Sequence, residues 1–180
     1  MDLVARAYDS ADAQQLIAEV QQEYVTRYGE PDATPTDPVE FQPPLGEFLV
    51  GYLNETPVAC AGWRAHDGDE PDFLDGDAEL KRMYVAPAAR GRGLSRQLLA
   101  AVERSAAAAG RRRMVLETGT MQPEAIALYL SSGYLPIPGF GLYREEPGSR
   151  YFARDLGQPQ ATSSTARKGS LITVAGVNPV

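Results

Sequence analysis

The chain has 180 residues, of which 43% are hydrophobic and 23% charged, and this composition suits one soluble domain with a sizeable core. Cys60 is the only cysteine and His66 the only histidine. One chain therefore cannot build a disulfide framework, a Cys/His zinc cluster or a multi-histidine metal site. We expect a cytoplasmic protein, because no apolar run approaches the roughly 20 residues of a membrane span and residues 1–12 do not resemble a secretion signal.

The basic residues are concentrated in one segment, although the formal net charge is −7. Nine of the 17 lysines and arginines lie between Lys81 and Arg113, where Glu103 is the only acid. The rest of the chain is strongly acidic, which argues against binding to nucleic acid, because phosphate contacts need a broad basic face. The basic segment therefore predicts a local site for an anion.

Hydrophobic periodicity predicts strands and helices in mixed order, separated by segments rich in glycine, proline or acids. In chain order these are a strand at 3–8, a helix at 10–28, a hairpin of strands at 47–53 and 57–65, a strand at 78–85, a helix at 92–109, a strand at 113–117, a helix at 122–131 and two strands at 142–145 and 150–155. Between them, 29–46 is expected to be a long ordered loop or a broken helix, and 66–77 an acidic loop. We predict one domain over residues 1–156 and a polar tail at 157–180.

The turn that leads into the helix at 92–109 has the form of a phosphate site. It reads Arg90-Gly91-Arg92-Gly93-Leu94-Ser95-Arg96. The first N–H groups of a helix lack backbone partners, glycines allow a diphosphate to approach, and arginines supply charge-assisted bonds. The alternative is a solvated turn before an amphipathic helix. Neither a P-loop nor a dinucleotide fingerprint is indicated, because GxxxxGK[ST] and the third glycine are missing.

Two motifs resemble the GNAT superfamily of N-acetyltransferases. Arg90, Gly93 and Ser95 fit the pattern [RQ]-x-x-G-x-[GA], with serine in place of the usual small final residue. Residues 122–134 resemble N-x-x-A-x-x-L-Y-x-x-x-G-[FY], with Gln122 in place of asparagine and with matches at Ala125, Leu128, Tyr129, Gly133 and Tyr134. The resemblance covers about residues 1–156. It implies an α/β fold with a mixed, twisted β-sheet, splayed at its centre and flanked by helices.

The resemblance implies that acetyl-CoA is the cosubstrate, that it lies in the split of the sheet, and that no metal takes part. Its pyrophosphate is expected on the glycine-arginine turn, and its pantetheine arm is expected to pair like an extra strand with the strand at 78–85. The cofactor-binding residues implied in this way are Met83, Tyr84, Val85, Arg90, Gly91, Arg92, Gly93, Leu94, Ser95, Arg96 and Gln122.

The resemblance also implies catalytic residues. Tyr129 matches the family tyrosine that protonates the departing thiolate, and its alternative role is packing against the cofactor. Glu79 stands eleven residues before Arg90, as the general base does in histone-acetylating relatives. Glu117, at the end of the next strand, is the rival base, and a water relay to either carboxylate is a further alternative. His66 is interpreted as a bystander in a hydrophilic loop.

The predicted function is transfer of acetyl to a primary amine, on a small molecule or a peptide, by direct attack. Six carboxylates between His66 and Asp77, together with the acidic segment Gly29 to Glu47, favour a cationic acceptor. The alternative is a solvated acidic loop that only aids solubility. Two hypotheses of other classes stand beside this one: a catalytically weak or regulatory CoA-binding module, and a homodimer in which the tail docks on a neighbouring subunit. Neither a nucleic acid nor a membrane is expected as a partner.

Overall fold

The computed structural model describes residues 1–68, 70 and 72–157, so the predicted tail, apart from Gly157, lies outside the described residues. The strands and helices are β1 (Asp2–Ala5), α1 (Ala11–Tyr28), β2 (Gly46–Leu53), β3 (Thr56–His66), β4 (Asp77–Val85), α2 (Leu94–Ala108), β5 (Arg113–Gly119), α3 (Pro123–Ser131), β6 (Leu135–Pro136) and β7 (Ser149–Asp155). Of the two forms expected for 29–46, the ordered loop is found, with one 3-10 turn, Pro38–Phe41. None of the described helices is long and apolar enough to cross a membrane.

The described strands form one mixed sheet of seven, in the order β1-β2-β3-β4-β5-β7-β6. Every neighbouring pair is antiparallel except β4 and β5, which are parallel. Their pairing covers Asp77–Glu79 on β4 and Arg113–Val115 on β5. Beyond Glu79 and Val115 the two strands diverge. The sheet is therefore splayed at its centre, which confirms the predicted fold class.

The two faces of the sheet carry different helices. The apolar stripe of α2 packs on one face with Leu80 of β4 and Leu116 of β5. On the opposite face α1 packs against β2 and β3, where Cys60 is buried in the core. Because side chains alternate along a strand, the neighbours of Leu80 and Leu116 point away from α2. Lys81 and Glu117 thus lie on the same face of β4 and β5.

The strand predicted at 142–145 is wrong. Those residues form turns, and the polar groups of this region bind other loops. The Tyr143 hydroxyl accepts from the Ala33 N–H at 2.7 Å, and Arg144 donates to Asp72 at 2.8 Å. Residues 142–145 therefore do not join the sheet. Instead, β7 pairs with β5 on one side and with β6 on the other.

Candidate active site at the fork of the sheet

The gap between β4 and β5 beyond the Glu79–Val115 pair, which we call the fork, contains a cavity of about 370 Å³. Consecutive β4 residues, Lys81 and Arg82, form one wall of this fork cavity, and Glu117 of β5 lies on another. Its remaining lining includes Tyr24, Tyr28, Asp32, Gln122, Tyr143 and Ser149. A second cavity of about 430 Å³ is lined by Glu79 and also by Glu117. Both carboxylates predicted as bases therefore border open space.

The turn before α2 leaves its backbone accessible. Gly91 and Gly93 have φ angles of 76° and 72°, a region that glycine enters without steric cost. A Cβ added at either position would meet no atom within 4 Å. The first backbone bond of α2 joins the Gln97 N–H to the Gly93 carbonyl, so the N–H groups of residues 94–96 have no partner within the helix. Leu94 and Ser95 can therefore contact a ligand through their backbone, although the Leu94 side chain is buried in the core.

The three arginines of this turn differ in their contacts. Arg90 Nε donates to the Val85 carbonyl at 2.8 Å, and Arg96 Nη2 donates to the Ser131 hydroxyl at 2.7 Å. The side chain of Arg92 is exposed and has neither a hydrogen bond nor an ion pair among the described residues. Arg92 is thus the most available cation of the turn.

One edge of β4 is unpaired beyond Glu79. On its other edge β4 pairs with β3, where Tyr84 lies opposite Cys60 and Val85 opposite Ala59. On the β5 side, the pairing found among the described residues ends at Glu79. An extended chain can bind along an unpaired strand edge as if it were another strand. The backbone from Met83 to Val85 offers such an edge to the fork.

A bulge turns two cationic residues into the same cavity. The register of β3 with β4 shifts between Cys60 and Gly62, and Arg82 has a φ of 55°. A left-handed conformation costs a non-glycine residue about 1 kcal/mol or more. As a result Lys81 and Arg82, although consecutive in a strand, both line the fork cavity. Arg82 forms an ion pair with Asp32.

Tyr129 lies on α3 and is 6% exposed. Its hydroxyl donates to the thioether sulfur of Met83 at 3.7 Å. Burial raises the pKa of Tyr129, so the hydroxyl keeps its proton at neutral pH. A thioether is a weak acceptor, and the proton is therefore available to a stronger one. Tyr129 of the motif at 122–134 and Met83 of the predicted cofactor strand are thus in contact.

The carboxylate of Glu79 is buried among cations. Its Oε2 accepts from Arg64 Nε at 2.7 Å and lies 2.9 Å from His66 Nε2, while Lys81 Nζ lies 3.3 Å from Oε1. Burial alone would raise the pKa of Glu79, but the bond to His66 and the charges of Lys81 and Arg64 lower it to about 2. A carboxylate with so low a pKa is a weak general base near neutral pH.

Glu117 has a different environment. The Ser149 hydroxyl donates to its Oε1 at 2.8 Å. Burial raises the pKa of Glu117 above its ordinary value, although Ser149 and the charge of Lys81 oppose the shift. A carboxylate that borders a cavity and has a raised pKa is better suited to accept a proton.

The position predicted for His66 is wrong, because the residue ends β3 and is 7% exposed. Its ring stacks on Phe73 with the centroids 3.5 Å apart, and its Nδ1 lies 2.6 Å from Glu70 Oε2. Arg64 and His66 are two residues apart in β3, so their side chains lie on the same face of the sheet as that of Glu79. This spacing is the sequence signal that could have identified the contact.

The carboxylates of the predicted acidic loop are paired within the protein. The ion pairs are Asp67–Arg111, Glu70–His66, Asp72–Arg144, Asp75–Arg112 and Asp77–Arg113. The remaining carboxylate, Asp69, lies outside the described residues. The three consecutive arginines at 111–113 thus bind this loop. The described carboxylates do not form the uncompensated negative surface on which a cationic acceptor was predicted.

Gln122 stands at the start of α3, on the lining of the fork cavity. Its Oε1 accepts from the Thr118 hydroxyl at 3.3 Å and from the Gly119 N–H at 3.4 Å. These contacts hold the side chain at the end of β5. Gln122 therefore borders the fork cavity from the β5 side, with its amide oxygen engaged by the protein.

Known proteins are similar to this chain in sequence. The model of the Acetyltransferase (GNAT) family matches residues 17–134. An IAA acetyltransferase of Azospirillum brasilense is 38% identical over 109 residues, which cover 61% of this chain and 67% of that protein. The uncharacterized N-acetyltransferase YjgM of Escherichia coli (strain K12) is 37% identical over 93 residues, which cover 52% of this chain and 53% of that relative, about half its length.

Solved structures share the fold. A proposed acyl-CoA N-acyltransferase of Klebsiella pneumoniae is 28% identical, with a TM-score of 0.67 over 87% of this chain and 97% of that one. The PaiA N-acetyltransferase of Thermoplasma acidophilum, solved with coenzyme A, is 14% identical and shows the fold alone, with a TM-score of 0.62 over 86% of this chain and 99% of its own. Since the family model covers more than half of the chain, this protein belongs to the GNAT family and is an N-acetyltransferase.

Proposed function

We propose that the protein transfers acetyl from acetyl-CoA to the primary amine of a small molecule, by direct attack in the fork cavity. The observation that carries this proposal is the separation of β4 from β5 directly after Glu79 and Val115. It creates a cavity between an unpaired strand edge and a carboxylate with a raised pKa, Glu117. The family uses acetyl-CoA as its donor.

The residues of the chain suit acetyl-CoA. The free N–H groups at the start of α2, the open space at Gly91 and Gly93, and the unpaired Arg92 fit a pyrophosphate. The strand edge at 83–85 fits an extended amide-containing arm. When bound there, acetyl-CoA supplies the thioester carbon that the amine attacks. In this arrangement Arg90 and Arg96 hold the turn in place through their own hydrogen bonds.

We assign proton acceptance to Glu117 and a positioning role to Glu79. An attacking amine must lose a proton, and the raised pKa of Glu117 makes its carboxylate a better proton acceptor than that of Glu79. Glu79, with a pKa of about 2, instead fixes Arg64, His66 and Lys81. As the N–C bond forms and the C–S bond breaks, Glu117 gains a proton from nitrogen and the departing sulfur gains one from Tyr129. Exchange with solvent restores both groups.

The size of the fork cavity supports a small acceptor, because a volume of about 370 Å³ falls within the range of small-molecule sites. A cationic acceptor was predicted mainly from free carboxylates in the acidic loop, together with the acidic segment Gly29 to Glu47. Each described carboxylate of that loop has a basic partner. We therefore do not extend the proposal to cationic amines as a preferred class.

Turnover separates this proposal from a CoA-binding module without activity. Purified protein is given acetyl-CoA and a panel of cationic, neutral and carboxylate-bearing amines, and thiol release is measured together with the mass of the product. We expect N-acetylated amine and free thiol in equal amounts. Tight binding of acetyl-CoA without an acetylated product from any class of amine would establish the binding module instead.

A further inference from the structure

Lys81 is a buried ammonium group for which the proposed mechanism has no use. Its side chain is 7% exposed and lies on the fork cavity. Its ion pair is with Glu79 Oε1, at 3.3 Å, and it makes no side-chain hydrogen bond in the part of the chain that the structure describes. An ammonium has three donors, and a buried charge is costly unless it is well paired. Lys81 therefore has donors left for a ligand.

The other charged groups of the fork cavity are already engaged or lie at its rim. Arg82 is paired with Asp32, whose carboxylate is also attracted by the charge of Lys81, and Glu117 accepts from the Ser149 hydroxyl. Two further acids, Glu30 and Glu146, line the cavity from exposed positions. The inner charges that face the cavity with unused capacity are then the ammonium of Lys81 and the carboxylate of Glu117.

The strand register places these two charges across the fork. Glu79 pairs with Val115, so Lys81 and Glu117 stand at corresponding positions two residues further along diverging strands. They face the same side of the sheet and form no ion pair with each other. A ligand whose amine lies at Glu117 therefore extends towards a cation. An anionic group on that ligand would accept hydrogen bonds from the ammonium of Lys81, whereas a second cationic group would be repelled by it.

We propose that the acceptor amine also carries a carboxylate, as an amino acid does, and that Lys81 binds this carboxylate while the amine lies at Glu117. The inference rests on the proposed function, because it names the acceptor class of the same site. Lys81 is then a specificity-determining residue: it contacts the acceptor but takes no part in proton transfer.

The test uses matched acceptors that differ in one group. For several amino acids, such as phenylalanine, the acid is compared with its amide and with the amine that lacks the carboxyl group. Values of kcat/KM are corrected for the fraction of neutral amine. A charge-assisted bond in a buried site predicts a preference of about 10-fold or more for the acid. Calorimetry of the CoA-bound protein should show the same preference in binding, without turnover.

Variants of Lys81 show whether this residue is the source of the preference for the acid. Lys81→Met should lower kcat/KM for the acid about 10-fold or more, mainly through KM, and leave the amide and the amine within a few-fold. Lys81→Arg should retain a preference for the acid. Arg104→Met removes an exposed positive charge of α2 and is the matched control, which should keep that preference. The affinity for acetyl-CoA, measured in each variant, verifies folding.

The outcomes separate the two proposals. Acetylation of amines with no preference for the acid, or an equal loss for all three acceptors in Lys81→Met, would overturn the inference and leave the acetyltransferase proposal standing. Failure of every amine in the wider panel to be acetylated would overturn the proposed function and the inference together.

Discussion

Tyr129 on α3 donates its hydroxyl hydrogen to the sulfur of Met83 on β4, and the two atoms lie 3.7 Å apart. This contact brings the second sequence motif against the strand whose free edge borders the fork. A sulfur atom is a weak acceptor, so the contact positions the hydroxyl without strongly engaging its proton. Burial raises the pKa of Tyr129 and so makes its hydroxyl a weaker acid, but in the proposed reaction this proton remains available to the departing thiolate.

Tyr129→Phe should lower kcat about 10²-fold, because the proton donor is lost while the ring remains. The affinity for acetyl-CoA should change little. Single-turnover kinetics and calorimetry measure the two effects separately. If the chemical step proceeds at the parent rate in this variant, Tyr129 packs against the cofactor and does not donate the proton.

Gly93→Val should weaken acetyl-CoA binding about 10-fold or more. The φ of 72° suits glycine, and a branched side chain there would strain the turn and cover the N–H groups of α2. Gly110, with a φ of 85° and open space around it at the other end of α2, is the matched control. Gly110→Val should lose stability but keep its affinity in calorimetry. Equal affinity in both variants would argue against a pyrophosphate at this turn.

Arg92→Ala should weaken acetyl-CoA binding several-fold, by an amount that shrinks with salt, because Arg92 is exposed and has no partner among the described residues. Dissociation constants at about 0.05 M and 0.5 M salt measure the effect. Arg104, also exposed and further along α2, is the control of equal charge. If Arg92→Ala and Arg104→Ala show the same salt dependence, the effect comes from the net charge of the protein and not from a contact between Arg92 and the ligand.

Sequence patterns predicted the parts of the site that depend on residues close together in the sequence. The turn at 90–96 follows from a helix start and glycine conformations, which are encoded within a few residues. Tyr129 was identified through the resemblance of residues 122–134 to a family motif, which is also a local pattern. The partners of Glu79 could not be predicted in this way. They depend on the register of β3 against β4, which shifts at a bulge between Cys60 and Gly62.

Contacts between residues far apart in the sequence also explain two predictions that were wrong. Alternation around Leu142 and Arg144 indicates a strand, but Asp72 from a distant loop binds Arg144 and holds the segment in turns. The acidic loop illustrates the same limit. Its composition indicated a free negative surface, whereas the fold brings Arg111, Arg112 and Arg113 against it.

Glu79→Gln should destabilise the protein by roughly 3 kcal/mol at neutral pH, because it leaves buried cations without their carboxylate. The folded pKa of about 2 lies below the ordinary 4.5. The ionised carboxylate thus stabilises the fold above pH 4.5, and this contribution is lost as the pH falls towards about 2.

Urea unfolding of the parent and of Glu79→Gln at pH 7 and about pH 3.5 measures this dependence, and the difference in free energy should shrink at the lower pH. Glu55→Gln, at an exposed turn, is the control and should match the parent at both values. A difference that stays constant with pH would show that Glu79 is not ionised in the folded protein in the way described.

The central claim is that acetyl transfer occurs in the fork with Glu117 as the proton acceptor. The most direct measurement is the pH dependence of kcat, with saturating acceptor, for the parent, Glu117→Gln and Glu79→Gln. In the parent, kcat should fall as the pH drops below the raised pKa of Glu117. Glu117→Gln should lower kcat about 10²-fold and abolish this acidic limb, while Glu79→Gln should keep the limb. A profile in which Glu79→Gln loses the limb and Glu117→Gln retains it would contradict the account.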